Sequence, residues 1–418
     1  MRQRSLTENS LLAFAGDACS KASALTVVLV AARVFSVSEF ALLATGLAAA
    51  GVLTSVLDLG AGTALTRDGA HGPVRRGELL IALMRARLPL AVAVAASAPL
   101  AGIFVGRPLT NVAVAGLGIT GALAVTVIGA YRSCQDIRPE ALQKLAAAIL
   151  SVTGAVIVSV TSPRADLLLA VLMLATLATL LPLLRRLGAI VEVGTRMRTV
   201  EAVKSIAPIG LLALATVAYY RAGTLVLAAL SNSRETAAFG VASSIAFGML
   251  MLPNAITTAL LPRLSAGPPE GVVDSTRRVL VRTVIVAIAV SAAAAAVVPL
   301  GLPLVIGHAY AAAGLPFALL CLGIPLIAAS TVIGTSLLSL RTLRPLGIQV
   351  TVSLAVNVAA LALLVPRLGA AGAAVATVLC ELVGLVLLVG LSRHALPDLL
   401  VFDRRSRRAI DARRAAIS

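Results

Sequence analysis

Apolar runs of about 20 residues recur along the whole chain, each broken by a short polar connector, and this spacing predicts bilayer-crossing helices. With a ruler of about 20 residues per crossing, about twelve spans fall at 11–32, 39–58, 88–105, 109–130, 142–161, 165–184, 207–230, 237–259, 283–304, 314–338, 346–365 and 370–391. Connectors such as 32–39 and 106–110 are so short that the flanking helices must be antiparallel neighbours. No connector is long enough for a soluble domain. The expected fold is therefore an all-α polytopic membrane protein.

The pattern also repeats. Glu39-Phe40-Ala41-Leu42 through Thr63-Ala64-Leu65-Thr66-Arg67 has a counterpart in Glu235 to Phe239-Gly240 through Thr258-Ala259-Leu260-Leu261-Pro262-Arg263. Six spans per copy give both copies one orientation, which predicts two six-helix lobes related by a pseudo-two-fold axis along the membrane normal. The boundaries that follow are residues 1–200 and 201–395, with a basic tail at 396–418.

Composition agrees with a lipid-facing surface. Hydrophobic residues make up 59% and charged residues 13% of 418 residues, and mean hydropathy is +1.01, against about a quarter charged in soluble domains. The net charge of +17 resides in connectors rather than on one basic face, which argues against nucleic acid and for topology signals. Most of the 35 Lys and Arg residues lie at the N-terminus, in alternate connectors and in the C-terminal tail. The positive-inside rule then puts both termini in the cytoplasm, with the Arg404–Arg414 run held at an anionic leaflet. Cys19, Cys134, Cys321 and Cys380 form no disulfide framework or metal motif, and no cofactor is expected. The first apolar run is interrupted by Asp17 and Lys21 and reads as a retained helix, not a cleaved signal.

Several ordered motifs carry a family resemblance. They are Ala32-Arg33-Val34-Phe35 with Ser38-Glu39-Phe40, then Leu57-Asp58-Leu59-Gly60-Ala61-Gly62 into Thr63–Arg67. The second half supplies Ala207-Pro208-Ile209-Gly210, Phe239-Gly240-Val241-Ala242, Leu252-Pro253-Asn254-Ala255 and Leu364-Val365-Pro366-Arg367-Leu368-Gly369. Together they resemble the Wzx-type polysaccharide branch of the multidrug/oligosaccharidyl-lipid/polysaccharide (MOP) flippase superfamily, over nearly the whole chain. The resemblance implies two lobes around a cavity and movement of a lipid-linked glycan to the outer leaflet of the cytoplasmic membrane by alternating access. The partners it implies are the bilayer, a polyprenyl-diphosphate-linked glycan and other polysaccharide assembly proteins. It departs at Tyr219-Tyr220-Arg221-Ala222-Gly223, where many relatives carry an acid in the seventh helix.

Arg221 stands mid-span, where a cation costs about 2.5–3.5 kcal/mol on insertion scales and so belongs in a wet cavity or beside a partner. Lys21 falls near the matching place in the first lobe, and both cations suit a diphosphate; neutralisation by an acid or snorkelling is the bland alternative. Asp17 and Lys21, four residues apart, predict an ion pair on one helix face, or a group that holds Lys21 and exchanges a proton. Arg33 reads as an interfacial anchor or a residue of the exit. Asp58 and Asn254 read as helix caps, Glu381, Asn357 and Gln349 as interhelical hydrogen-bonding groups, and His308 and Tyr310, by an outer turn, as solvated or interfacial rings, with a pH-sensing role as the sharper alternative. Competing functions are a proton- or sodium-coupled multidrug exporter, which needs acids in the cavity, and a membrane polymerase or glycosyltransferase, which needs a catalytic carboxylate cluster or outer domain. No nucleotide-binding loop is present, and enzyme chemistry is not expected.

Overall fold

The computed structural model describes residues 6–393 except 135, 193–196, 198, 252, 254–255, 257–268, 341 and 343. Asn254, the second Thr-Ala-Leu element at 258–263 and the basic tail from 396 therefore lie outside the described residues. Among the described residues the regular structure is wholly helical. The helices are α1 (Leu6–Val34), α2 (Val37–Asp58), the short α3 (Ala61–Asp68), α4 (Pro73–Val105), α5 (Pro108–Ser133), α6 (Arg138–Thr161) and α7 (Ala165–Leu187). They continue as α8 (Thr199–Leu230), α9 (Ser233–Gly248), α10 (Pro269–Ile306), α11 (Gly314–Ser339) and α12 (Arg344–Ser392).

Among the described residues, ten helices are long and apolar enough to cross a bilayer. One of them is a hairpin: α12 has 49 residues, about 74 Å at 1.5 Å per residue, far beyond a hydrocarbon core of about 30 Å. It breaks at Gly369, whose φ of 54° and ψ of −131° are non-helical. Cys380 Sγ donates to the Ser353 carbonyl at 2.7 Å, so residues 344–368 and 370–392 lie side by side as two spans. The expected span at 237–259 is seen as α9, which ends at Gly248 close to the undescribed stretch. Large apolar side chains such as Val160 (80% exposed), Leu300 (77%) and Leu304 (79%) point outward, which only a lipid environment tolerates in such number.

The repeat predicted from sequence is built in three dimensions by two matching caps. Ser36 Oγ accepts from the Glu39 amide (3.3 Å) at the start of α2, and Asn232 Oδ1 accepts from the Glu235 amide (3.0 Å) at the start of α9. Glu39 then accepts from the first amide of α7, Ala165, at 2.8 Å, while Glu235 accepts from Ala370, the first amide after the Gly369 break, at 2.7 Å. Each carboxylate satisfies an orphan donor at the positive end of a helix. Replacing either glutamate by Ala is expected to lower stability by about 1 kcal/mol, read as a drop in thermal midpoint of the detergent-solubilised protein. Gly369→Ala should cost more, because a Cβ there collides with the Glu235 carboxylate and the backbone has a positive φ.

The end of α2 is fixed by a buried ion pair. Leu59 and Gly60 turn the chain with φ of 47° and 79°, and Asp58 Oδ1 accepts from the Gly62 amide (3.3 Å), capping α3 as expected. Arg87 of α4 reaches Asp58 Oδ1 at 2.9 Å and also donates to the Asp58 carbonyl and to Thr126 Oγ1. Beyond this buried cap, Arg67 and Asp68 at the exposed end of α3 pair at 2.6 Å. There the guanidinium hydrogen bond holds the Asp68 carboxyl below its usual range.

Helices α1 to α7 pack on one another, and α9 to α12 do the same, with α8 shared between the two groups. Ala202 and Ile206 in the first turns of α8 are buried among Ala61, Leu65, Leu79 and Leu83 of α3 and α4, whereas its second half lies against α12. At the end where α1 turns into α2, called here the hairpin end, the groups meet tightly. Phe40 packs edge-on against Tyr310 with ring centroids 5.5 Å apart, and both share a core with Phe239 and Phe317. Tyr310 is thus 2% exposed, not the interfacial ring expected, because it fills the seam between the two groups; His308 is exposed. Hairpin-end cations are partly neutralised, Arg107 by Glu39 (3.2 Å) and Arg164 by Asp166 (2.6 Å).

Candidate functional site in the seam between the helix groups

Arg221 lies on α8 facing the other helix group. Its guanidinium rests over Gly51 of α2, with Nε 3.3 Å from the place a Cβ on Gly51 would occupy. The side chain is accessible although protein surrounds it on most sides. Arg221 makes no ion pair or hydrogen bond among the described residues, so the bland alternative of a neutralising acid does not apply there.

Lys21 is exposed on α1 and also has no ion pair among the described residues. It is not the repeat equivalent of Arg221. The matched caps Ser36 and Asn232 align Lys21 with Val217, one helical turn from Arg221. The expected Asp17–Lys21 pair is absent as well. Gly16 lets α1 press against Ala141 of α6, which brings Lys144 Nζ to Asp17 Oδ1 at 2.5 Å. Lys144 also reaches Glu140 (2.5 Å), which Arg132 clamps at 2.7 and 2.5 Å. Asp17 therefore anchors α1 to α6 and leaves Lys21 unpaired. Arg33 stands at the hairpin end, Nη1 3.7 Å from a Cβ position on Gly307 in the second group. Twelve residues separate it from Lys21, about 18 Å along the helix, so Arg33 and Lys21 do not share one site. A depression of about 790 Å³ opens at the hairpin end, lined by Val37 and Ser38 from one group and Asn232, Arg234 and Ala309 from the other.

Glu381, expected from the sequence to hydrogen-bond between helices, accepts from the Tyr219 hydroxyl at 2.7 Å. What sequence did not reveal is that both line a cavity of about 250 Å³ within the second group. The polar residues facing it are scattered over α8, α11 and both arms of α12, so no local spacing signals it.

A family profile described as "Polysaccharide biosynthesis protein" matches residues 6–267. No curated protein sequence matches. Among solved structures, the lipid II flippase MurJ in an inward closed conformation superposes with a TM-score of 0.72 at 11% identity, over 94% of this chain and 91% of that one. The MATE multidrug transporter DinF-BH gives 0.69 at 16% identity, over 94% and 96%. A MOP superfamily transporter from Pyrococcus furiosus, described as having a binding pocket of reversed polarity, gives 0.61 at 15% identity, over 93% and 95%. At these identities the likeness is one of fold.

Proposed function

Since the chain belongs to the polysaccharide biosynthesis protein family of the MOP superfamily, we propose that it is a flippase carrying a lipid-linked oligosaccharide or polysaccharide precursor from the cytoplasmic to the outer leaflet by alternating access. The protein is a multi-pass membrane transporter in fold and family. The lobes that rock are residues 1–200 and 201–395, and both termini face the cytoplasm. In that orientation the Phe40–Tyr310 seal closes the outer side.

The observation that carries this reading is the unpaired, accessible guanidinium of Arg221 in the seam. A cation held in a low-dielectric cavity without a partner attracts an anion, and the diphosphate of a polyprenyl-linked glycan supplies one. Lys21 contributes a second cation one turn away in depth, and Arg33 faces the product at the outer end. Asp17 acts indirectly, through the Lys144 pair that holds α1. The membrane potential, negative inside, assists outward passage of a net anionic headgroup by about 2.3 kcal/mol per charge per 100 mV. Export of cationic drugs is the weaker reading, because the seam cation would repel them.

The test is reconstitution in vesicles containing a fluorescent polyprenyl-diphosphate oligosaccharide, with dithionite quenching of the outer leaflet. Transbilayer exchange well above protein-free vesicles is expected, and exchange no faster than in protein-free vesicles refutes the flippase reading.

A further inference from the structure

The depression of about 790 Å³ at the hairpin end lies directly outside the seal between the groups. Val37 and Ser38 of its wall stand within one turn of Phe40, and Ala309 adjoins Tyr310, the two rings that close the seam. Its polar wall is made of donors. Arg234 lines it and has no ion pair or hydrogen bond among the described residues. Asn232 spends its side-chain oxygen on the Glu235 amide, which leaves its NH2 group free to donate, and Ser38 and Ser233 add hydroxyls. Arg33, equally unpaired among the described residues and exposed, approaches from α1. Its Nη1 is 3.7 Å from a Cβ position on Gly307, two residues before Ala309.

The acids of this end are committed elsewhere. Glu39 is held by the Ala165 amide and Arg107, Glu235 by the Ala370 amide and Asp166 by Arg164. The hairpin-end connectors carry five arginines, Arg33, Arg107, Arg164, Arg234 and Arg367. Arg107 and Arg164 are neutralised, and of the three left unpaired among the described residues, Arg33 and Arg234 border the depression. The positive-inside rule disfavours cations on the outer face, so two free guanidiniums at the mouth of the seam call for an anion. A guanidinium fork matches phosphate oxygens, and the volume falls within the range of about 300–1,000 Å³ typical of ligand clefts. Location selects the source of the phosphate. A diphosphate that has passed the Phe40–Tyr310 contact meets this wall first. Because the wall comes from both groups, an anion held here favours the closed seam behind it.

We propose that the hairpin-end depression is an exit site for the diphosphate of the lipid-linked glycan, with Arg234 and Arg33 as its charged groups. This rests on the flippase reading. The test uses the full-length protein in nanodiscs of zwitterionic lipid, with the four native cysteines replaced and an environment-sensitive fluorophore on Ala309→Cys. The probe is geranyl diphosphate, a water-soluble short-chain analogue. A saturable change in emission is expected, with inorganic phosphate binding about tenfold more weakly or worse. Arg234→Gln and Arg33→Gln should each weaken the diphosphate about tenfold at an unchanged thermal midpoint, since neither side chain has a partner to orphan among the described residues. Arg221→Ala should leave the signal as it is. No saturable response, or one that both Arg234→Gln and Arg33→Gln keep at full affinity, overturns the site. A response lost in Arg221→Ala arises in the seam and overturns it too. Inorganic phosphate binding as tightly as the probe makes the depression a free-phosphate site, and loss of the response in nanodiscs containing phosphatidylglycerol makes it a contact for anionic lipid headgroups; either result overturns the exit assignment. The flippase reading survives each of these results and falls separately, in the vesicle exchange assay.

Discussion

Arg221→Ala is expected to weaken capture of the diphosphate headgroup about 10- to 100-fold, the loss associated with one charge-assisted hydrogen-bonding partner. Lipid-linked precursor should then accumulate on the cytoplasmic leaflet, and flipping in vesicles should fall by a similar factor. Stability should hold or rise, because an unpaired cation within a span opposes insertion and Arg221 has no partner to orphan. That separation of activity from stability is what a structural arginine does not show. Arg221→Lys should retain part of the activity, since an ammonium keeps the charge and loses the bidentate fork. Gly51→Val should behave like Arg221→Ala: a Cβ at Gly51 already stands 3.3 Å from Nε, and its added methyls push the guanidinium away.

Removing one partner of the Asp58–Arg87 pair should give the largest loss of stability, about 3–5 kcal/mol for either Asp58→Leu or Arg87→Leu. The two side chains are 12% and 7% exposed and 2.9 Å apart, so each single change strands a buried charge. Asp58 also caps α3 through Gly62, which places its variant at the upper end of that range. The double variant should recover much of the loss, because two apolar side chains leave no stranded charge. Thermal and denaturant unfolding of the four proteins gives the coupling as a double-mutant cycle. Additive losses in the double variant refute a coupled pair.

The span plan was legible because lipid imposes it: apolar stretches of fixed length with basic connectors have few alternative foldings. Glu39 and Glu235 marked the repeat in sequence, although their work of capping the distant residues Ala165 and Ala370 is set by tertiary packing. The same packing defeated the local reading of Asp17. A four-residue spacing to Lys21 predicts a pair, but the close approach of α1 and α6 at Gly16 offers Lys144 instead. Arg221 could be singled out because a mid-span cation is costly wherever it sits. Its seat on Gly51 could not, since it is formed between helices some 170 residues apart. Arg87 looked like one more cytoplasmic cation in the sequence and is in fact buried at 6% exposure, because α4 begins well before its apolar run and carries Arg87 alongside the end of α2.

On the flippase reading the two helix groups separate at the hairpin end while carrying an anionic lipid through the seam. It is tested most directly by the distance between spin labels placed on Ser38 and Ala309, which face each other across the hairpin-end depression, with the four native cysteines replaced. A short distance is expected in lipid alone, and a second, longer population on adding the polyprenyl-diphosphate glycan, diminished by Arg221→Ala. One unchanged short distance under conditions in which the labelled protein still flips that lipid rules out separation of the groups at this end.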